Sequence, residues 1–123
     1  MDTIKFISAL EGYHTCCKII HWTTDNKAEH ELINDIDKDI LSFEDRYAEA
    51  VIGAGIKINF QEMKTLLPKS KTTSEMLDEL LFDVSKLKEK ISHEQNVIID
   101  GLQNILDEFV EKILYWKFLE KLK

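Results

Sequence analysis

Between residues 21 and 49 the chain gathers side chains that ligate transition metals. His21 precedes Trp22, His30 stands nine residues after His21, Asn34 four after His30, Asp45 eleven after Asn34, and Glu49 four after Asp45. Imidazole nitrogens with carboxylate oxygens suit iron and its neighbours. In a helix a spacing of four returns a side chain to the same face, so Asp45 and Glu49 can present two carboxylates together. His30 and Asp45 are fifteen residues apart, ~22 Å along a helix at ~1.5 Å per residue, so they cannot hold one small ion within a single chain. Two copies of the segment lying antiparallel across a two-fold axis can: His21 and His30 of one copy then face Asp45 and Glu49 of the other. Asn34 offers a neutral amide where a carboxylate would bind iron better. Asp37, one turn further along, is the substitute available on this segment.

The remaining chemically capable residues have plainer readings. His14 lies on the inward stripe and reads as a hydrogen-bonded core histidine. Glu11 and His14 form an E-x-x-H pair of the kind found in larger di-iron bundles, but no second copy follows on another helix. His93 reads as a solvated or helix-end residue. Asp35, Asp37 and Asp39 read as a solvated face. Cys16 and Cys17 are adjacent, and a bridge between neighbours strains the disulfide; the expectation is a buried Cys17 beside a half-exposed Cys16. Trp22 and Trp116 read as core anchors.

Helical periodicity supplies the elements that must position these groups. A first helix from Thr3 to about Trp22 carries Ile4, Ile7, Leu10, His14, Cys17 and His21 on one stripe. Asp25 or Asn26 caps a second helix, from Lys27 to about Ile52, with Ile33, Ile36, Ile40, Phe43 and Tyr47 inward. Gly53-Ala54-Gly55 stops it. The stretch from Gly53 to Thr73 is irregular, with one helical turn expected at Gln61 to Leu67. A third helix starts near Ser74 and runs through Leu77, Leu80, Val84, Leu87 and Ile91. A break falls near Ser92 to Gly101, or ends sooner if the apolar Val97-Ile98-Ile99 already belongs to the fourth helix, which carries Leu102, Leu106, Phe109, Ile113 and Trp116. A link of about 20 residues can extend ~66 Å, enough to return along a bundle. One long link between two short ones predicts an all-α, ferritin-like four-helix bundle with a crossover between helices two and three.

Composition agrees. The 123 residues make a single domain over positions 1–123, and 44% hydrophobic with 32% charged residues is the balance of a globular chain. Only 4 Gly and 1 Pro argue against a turn-rich β fold. A net charge of −7 disfavours nucleic acid as a partner, which would need a cationic face. No apolar run approaches the ~20 residues of a membrane span, and the opening segment lacks a secretory pattern. A cytoplasmic protein is expected.

The stretch HWTTDNKAEHELINDIDKDILSFEDRYAEAVIG resembles the Dps-type mini-ferritins, in which a His-Trp pair, a second His, a carboxylate four residues on, an Asp eleven further and a Glu four beyond form a site shared across a dimer interface. The segment QNILDEFVEKILYWKFLE is similar to the last helix of that family. In length and wording the chain also resembles small ferritin-like proteins encoded by phages. The connection from Trp22 to His30 is about three residues shorter than the family pattern, and Asn34 departs from it. The resemblance implies iron, Fe2+ and Fe3+, at His21, His30, Asn34 or Asp37, Asp45 and Glu49, with ferroxidase activity using peroxide or dioxygen, and a homo-oligomer built from two-fold dimers. The rival expectation is a non-catalytic bundle serving assembly, for instance with a phage structural partner in the host cytoplasm or the virion.

Overall fold

Asp2, in extended conformation, accepts a hydrogen bond from the Lys5 amide and opens α1 (Thr3–Thr23). Asn26 does the same for the Glu29 amide at the start of α2 (Lys27–Gly53), and Thr72 for the Glu75 amide at the start of α3 (Thr73–Ile91). The last helix, α4, spans Val97–Leu122. The computed structural model describes residues 2–59, 61–93 and 97–122. The result is an all-α four-helix bundle with a long crossover between α2 and α3.

Each helix turns one stripe inward at spacings of three and four: Phe6, Leu10, Tyr13, Cys17 and Ile20 on α1, and Ile33, Ile36, Ile40, Phe43, Tyr47 and Val51 on α2. The stripes of α3 (Leu77, Leu80, Val84, Leu87, Ile91) and α4 (Leu102, Leu106, Phe109, Ile113, Trp116) complete the core. Phe43 stacks on Phe109 with ring centroids 3.6 Å apart, tying α2 to α4, while Phe6 meets Phe43 and Tyr47 edge-on. α1 packs on α2 and α3, and α4 packs on the same two, so α2 and α3 face each other across a diagonal.

Gly55, with φ of 88°, takes the left-handed turn that α2's end requires and sends the chain into the crossover. The crossover then climbs along α1. The Lys64 and Leu66 amides donate to Ser8 Oγ and Ser8 O, and the Cys16 thiol points to Ser70 O. Gly12 makes this path available, since a Cβ there would lie 1.7 Å from the Leu66 carbonyl oxygen. Glu79 of α3 accepts from the Lys69 and Ser70 amides and pins the far end. α3 therefore starts at the end where α1 finishes, as one long crossover requires.

Several expectations need correction. Residues 63–68 form no helical turn, because their amides are drawn to α1 instead of to one another. The cap of α3 is Thr72, not Ser74. Cys16 is buried like Cys17. Trp116 is a core anchor, whereas Trp22 is 69% exposed, on the outward side of the last turn of α1.

Candidate metal centre

Only three residues, Thr24 to Asn26, separate α1 from α2, so the last turn of one lies beside the first turn of the other. This short link brings His21 and His30 together. Their rings stack with centroids 3.7 Å apart and planes 21° from parallel. His21 Nδ1 donates to the His30 carbonyl at 3.0 Å, and His30 Nδ1 donates to the His21 carbonyl at 2.8 Å. A carbonyl oxygen only accepts, so each Nδ1 carries a proton, and in a neutral ring the lone pair then resides on Nε2. An imidazole anchored through Nδ1–H to a backbone carbonyl is the form that offers Nε2 to a metal. Thr24 and Thr73 hydroxyls bind the two carboxylate oxygens of Glu29, bracing the hairpin end against the start of α3.

Asn34 is exposed one turn along α2 from His30. Asp37 is engaged elsewhere: its Oδ1 takes a hydrogen bond from His14 Nδ1 at 2.6 Å, in the half-buried seam between α1 and α2. His14 is thus the hydrogen-bonded histidine expected, with Asp37 rather than Glu11 as its partner. Asp45 and Glu49 are exposed at the opposite end of α2. Among the described residues, no three His, Cys, Asp or Glu side chains of one chain converge to hold a metal ion. Within a chain, then, the structure joins His21 to His30 and leaves both apart from Asp45 and Glu49.

The seam holds groups that motif reading passed over. Glu44 is 7% exposed, facing inward beside the outward Asp45. Burial, a hydrogen bond with Glu11, and the charges of Glu11, Asp45 and Asp37 push its carboxyl up to about 8. Tyr13, also buried, donates to Asp83 at 2.6 Å and links α1 to α3. Burial raises the Tyr13 hydroxyl far above the ordinary range, and it raises the Asp83 carboxyl against the pull of that hydrogen bond. Asp37 turns into the seam rather than the solvated face, whereas Asp39 stays well exposed while accepting from Trp116 Nε1 at 3.2 Å. Amphipathic phase is the signal that could have found Glu44: it falls one position after Phe43 and three before Tyr47, on the buried side of α2. The lone glycine within the α1 stripe was the corresponding signal for a close backbone approach at Gly12.

The two thiols are poor candidates for chemistry. Burial pushes Cys16 up to about 11 and raises Cys17 further, with Cys17 Sγ 3.5 Å from Met76 Sδ. A protonated thiol is neither nucleophile nor ligand.

The bundle and its crossover are consistent with the broad ferritin-like superfamily. No family model, curated protein or solved structure matches the chain. Among the described residues no helix is long and apolar enough to cross a membrane.

Proposed function

We propose that two copies pair through the outer faces of α1 and α2 about a two-fold axis, and that the pair binds and oxidises Fe(II) at two shared sites. The observation that carries this reading is the reciprocal His21–His30 pair, which leaves two Nε2 atoms available to a ligand. An antiparallel register that sets His30 opposite Glu49 of the partner subunit also sets Asn34 opposite Asp45 of the partner subunit and Lys38 opposite Leu41 of the partner subunit. α1 is tied to α2 at His14–Asp37 and His21–His30. The same register therefore brings His21 level with the partner's Glu49, Lys18 level with the partner's Asp45, and the exposed Trp22 beside the exposed Ile52 of the partner subunit. One register thus joins nitrogen donors to oxygen donors, a cation to acids and one large apolar side chain to another, the complementarity an isologous interface needs.

In the proposed site, His21 and His30 contribute neutral nitrogen ligands and Asp45 and Glu49 of the partner subunit contribute the negative charge that favours iron. Asn34 lowers that charge relative to a carboxylate, which predicts weaker Fe(II) binding. Two Fe(II) ions, as substrate, give two electrons to one hydrogen peroxide, which takes two protons and leaves as two waters; dioxygen is the alternative oxidant. Asp37 stays with His14 and takes no part in binding.

Elemental analysis with oligomer mass, followed by Fe(II) oxidation kinetics for the natural chain and for Glu49→Ala, tests the reading. The expected result is a dimer or larger even assembly whose initial rate falls at least tenfold in the variant while its mass is retained. Rates for both chains equal to buffer alone, in a stable metal-free assembly, would overturn it in favour of a non-catalytic assembly protein, the reading that Asn34 otherwise supports.

A further inference from the structure

The outward side of α4 changes character along its length. Asn104, Asp107, Glu108 and Glu111 keep it polar over the earlier turns. After Glu111 it turns apolar: Leu114, Tyr115, Phe118 and Leu122 are each more than half exposed. Their spacing sets Tyr115, Phe118 and Leu122 on the side away from the buried Phe109, Ile113 and Trp116, with Leu114 at its edge. No other stretch of nine among the described residues exposes four large apolar side chains. Tyr115 is also held in place, since Lys112 lies 5.5 Å from its ring centroid and is itself paired with Asp39.

The exposed part of each of these four side chains is roughly 100 Å², so one copy offers ~400 Å² of apolar surface and two copies ~800 Å². Stable contacts bury ~1,200 Å² or more, of which ~55–65% is apolar. Two such faces therefore supply the apolar share of one contact. Charge fits the same arrangement. Lys112 and Lys117 are neutralised by Asp39 and Asp78, which leaves Glu111 and Lys121 at opposite ends of the apolar face. An antiparallel register that sets Glu111 level with the partner's Lys121 also sets Leu114 level with Phe118 of the partner subunit. Opposite charges then meet at both rims with apolar side chains between them, as self-complementary pairing about a two-fold axis requires.

We infer that the end of α4 is a self-association surface, on which two copies pair their last three turns antiparallel with Phe118 near the centre of the contact. A chain of net charge −7 repels its own copies over most of its surface, and here each Glu111 meets a cation instead. The contact is separate from the pairing through α1 and α2 proposed for the metal sites and does not depend on it. Where both form, each chain has two different isologous contacts, and the assembly is a tetramer or larger.

Sedimentation mass of the full chain and of variants at micromolar concentration tests the inference. Phe118→Glu, at an exposed position, is expected to keep the urea midpoint and to halve the mass. The halving runs from tetramer to dimer if the α1–α2 pairing holds and from dimer to single chain if it does not, so the two readings fail separately. At low salt Glu111→Lys and Lys121→Glu should each weaken association at least threefold, and the two together should restore it, because the pair is then reversed at both rims. A natural chain that stays single, a folded Phe118→Glu chain of unchanged mass, or a double variant no better than the single ones would each overturn it. A single natural chain that binds phosphatidylcholine vesicles would give the face to a membrane surface and overturn it as well.

Discussion

The α1–α2 hairpin and the α3–α4 hairpin contribute apolar stripes to the same core, but the polar groups beside those stripes differ in kind. In the α1–α2 seam they are paired with one another: His14 with Asp37 half-buried, Glu44 with Glu11 further in, and His21 with His30 through each other's backbone at the solvent-facing end. Between α3 and α4 they are ion pairs at the surface, Lys88 with Asp107 and Lys117 with Asp78, both with well-exposed carboxylates. Exposed pairs of that kind contribute ~0–1 kcal/mol each, and either partner can change with little effect. In the His14–Asp37 and Glu44–Glu11 pairs, by contrast, removing one group leaves a partly desolvated partner. The hairpin richest in ligating side chains is thus also the one whose geometry is most tightly specified.

The steepest way to probe that contrast is Gly12→Ala. The new methyl would meet Leu66 O at 1.7 Å and Leu66 C at 2.4 Å, both backbone atoms with no rotamer to yield. The crossover must lift from α1 and give up the Leu66–Ser8 and Lys64–Ser8 bonds. A loss of about 3 kcal/mol or more is expected, read as a lower urea midpoint. An unchanged midpoint would show that the crossover does not rest on α1.

Glu44→Gln sharpens the comparison through pH. The folded-state carboxyl, at about 8, lies above its ordinary 4.5, so between those values the folded chain holds a proton that the unfolded chain releases. Stability from this group is complete below the lower value and is lost as pH rises through the upper one, with a slope of up to about 1.4 kcal/mol per pH unit. Glutamine keeps a hydrogen-bonding group and has no proton to lose. Unfolding midpoints of the natural chain should fall from pH 5.5 to 8.5, those of the variant should change less, and the variant should be the more stable at pH 8.5. Parallel pH profiles would rule out Glu44 as the source of the slope.

How much of this was legible in the residues follows the same divide. Periodicity marked all four helices, because the apolar stripes repeat at helical spacing, and link lengths marked the crossover, because only the central link could span the bundle. The caps at Asn26 and Thr72 and the path of residues 63–68 depended on local competition for amides, so the sequence left the first open, placed the second two residues late and misread the third. Spacing selected His21 and His30, but their mutual backbone bonds depend on a three-residue link whose geometry spacing does not encode. Trp22 was misplaced because size alone suggested burial, while its helical phase points it away from the stripe of Phe6, Leu10, Tyr13 and Cys17.

The smallest effect tests the other hairpin. Gly101 lies in the second turn of α4, and a Cβ there would meet nothing within 4 Å. Its backbone is helical, so alanine adopts the same conformation without strain while restricting the unfolded chain. Gly101→Ala should therefore stabilise the protein by about 0.5–1 kcal/mol, seen as a higher urea midpoint with unchanged slope. The same substitution would then carry opposite signs at Gly12 and Gly101, because one glycine admits a backbone across its face and the other faces open space. A loss of stability at Gly101 would mean that the start of α4 also lies against an unrecognised backbone segment, and the contrast between the hairpins would narrow accordingly.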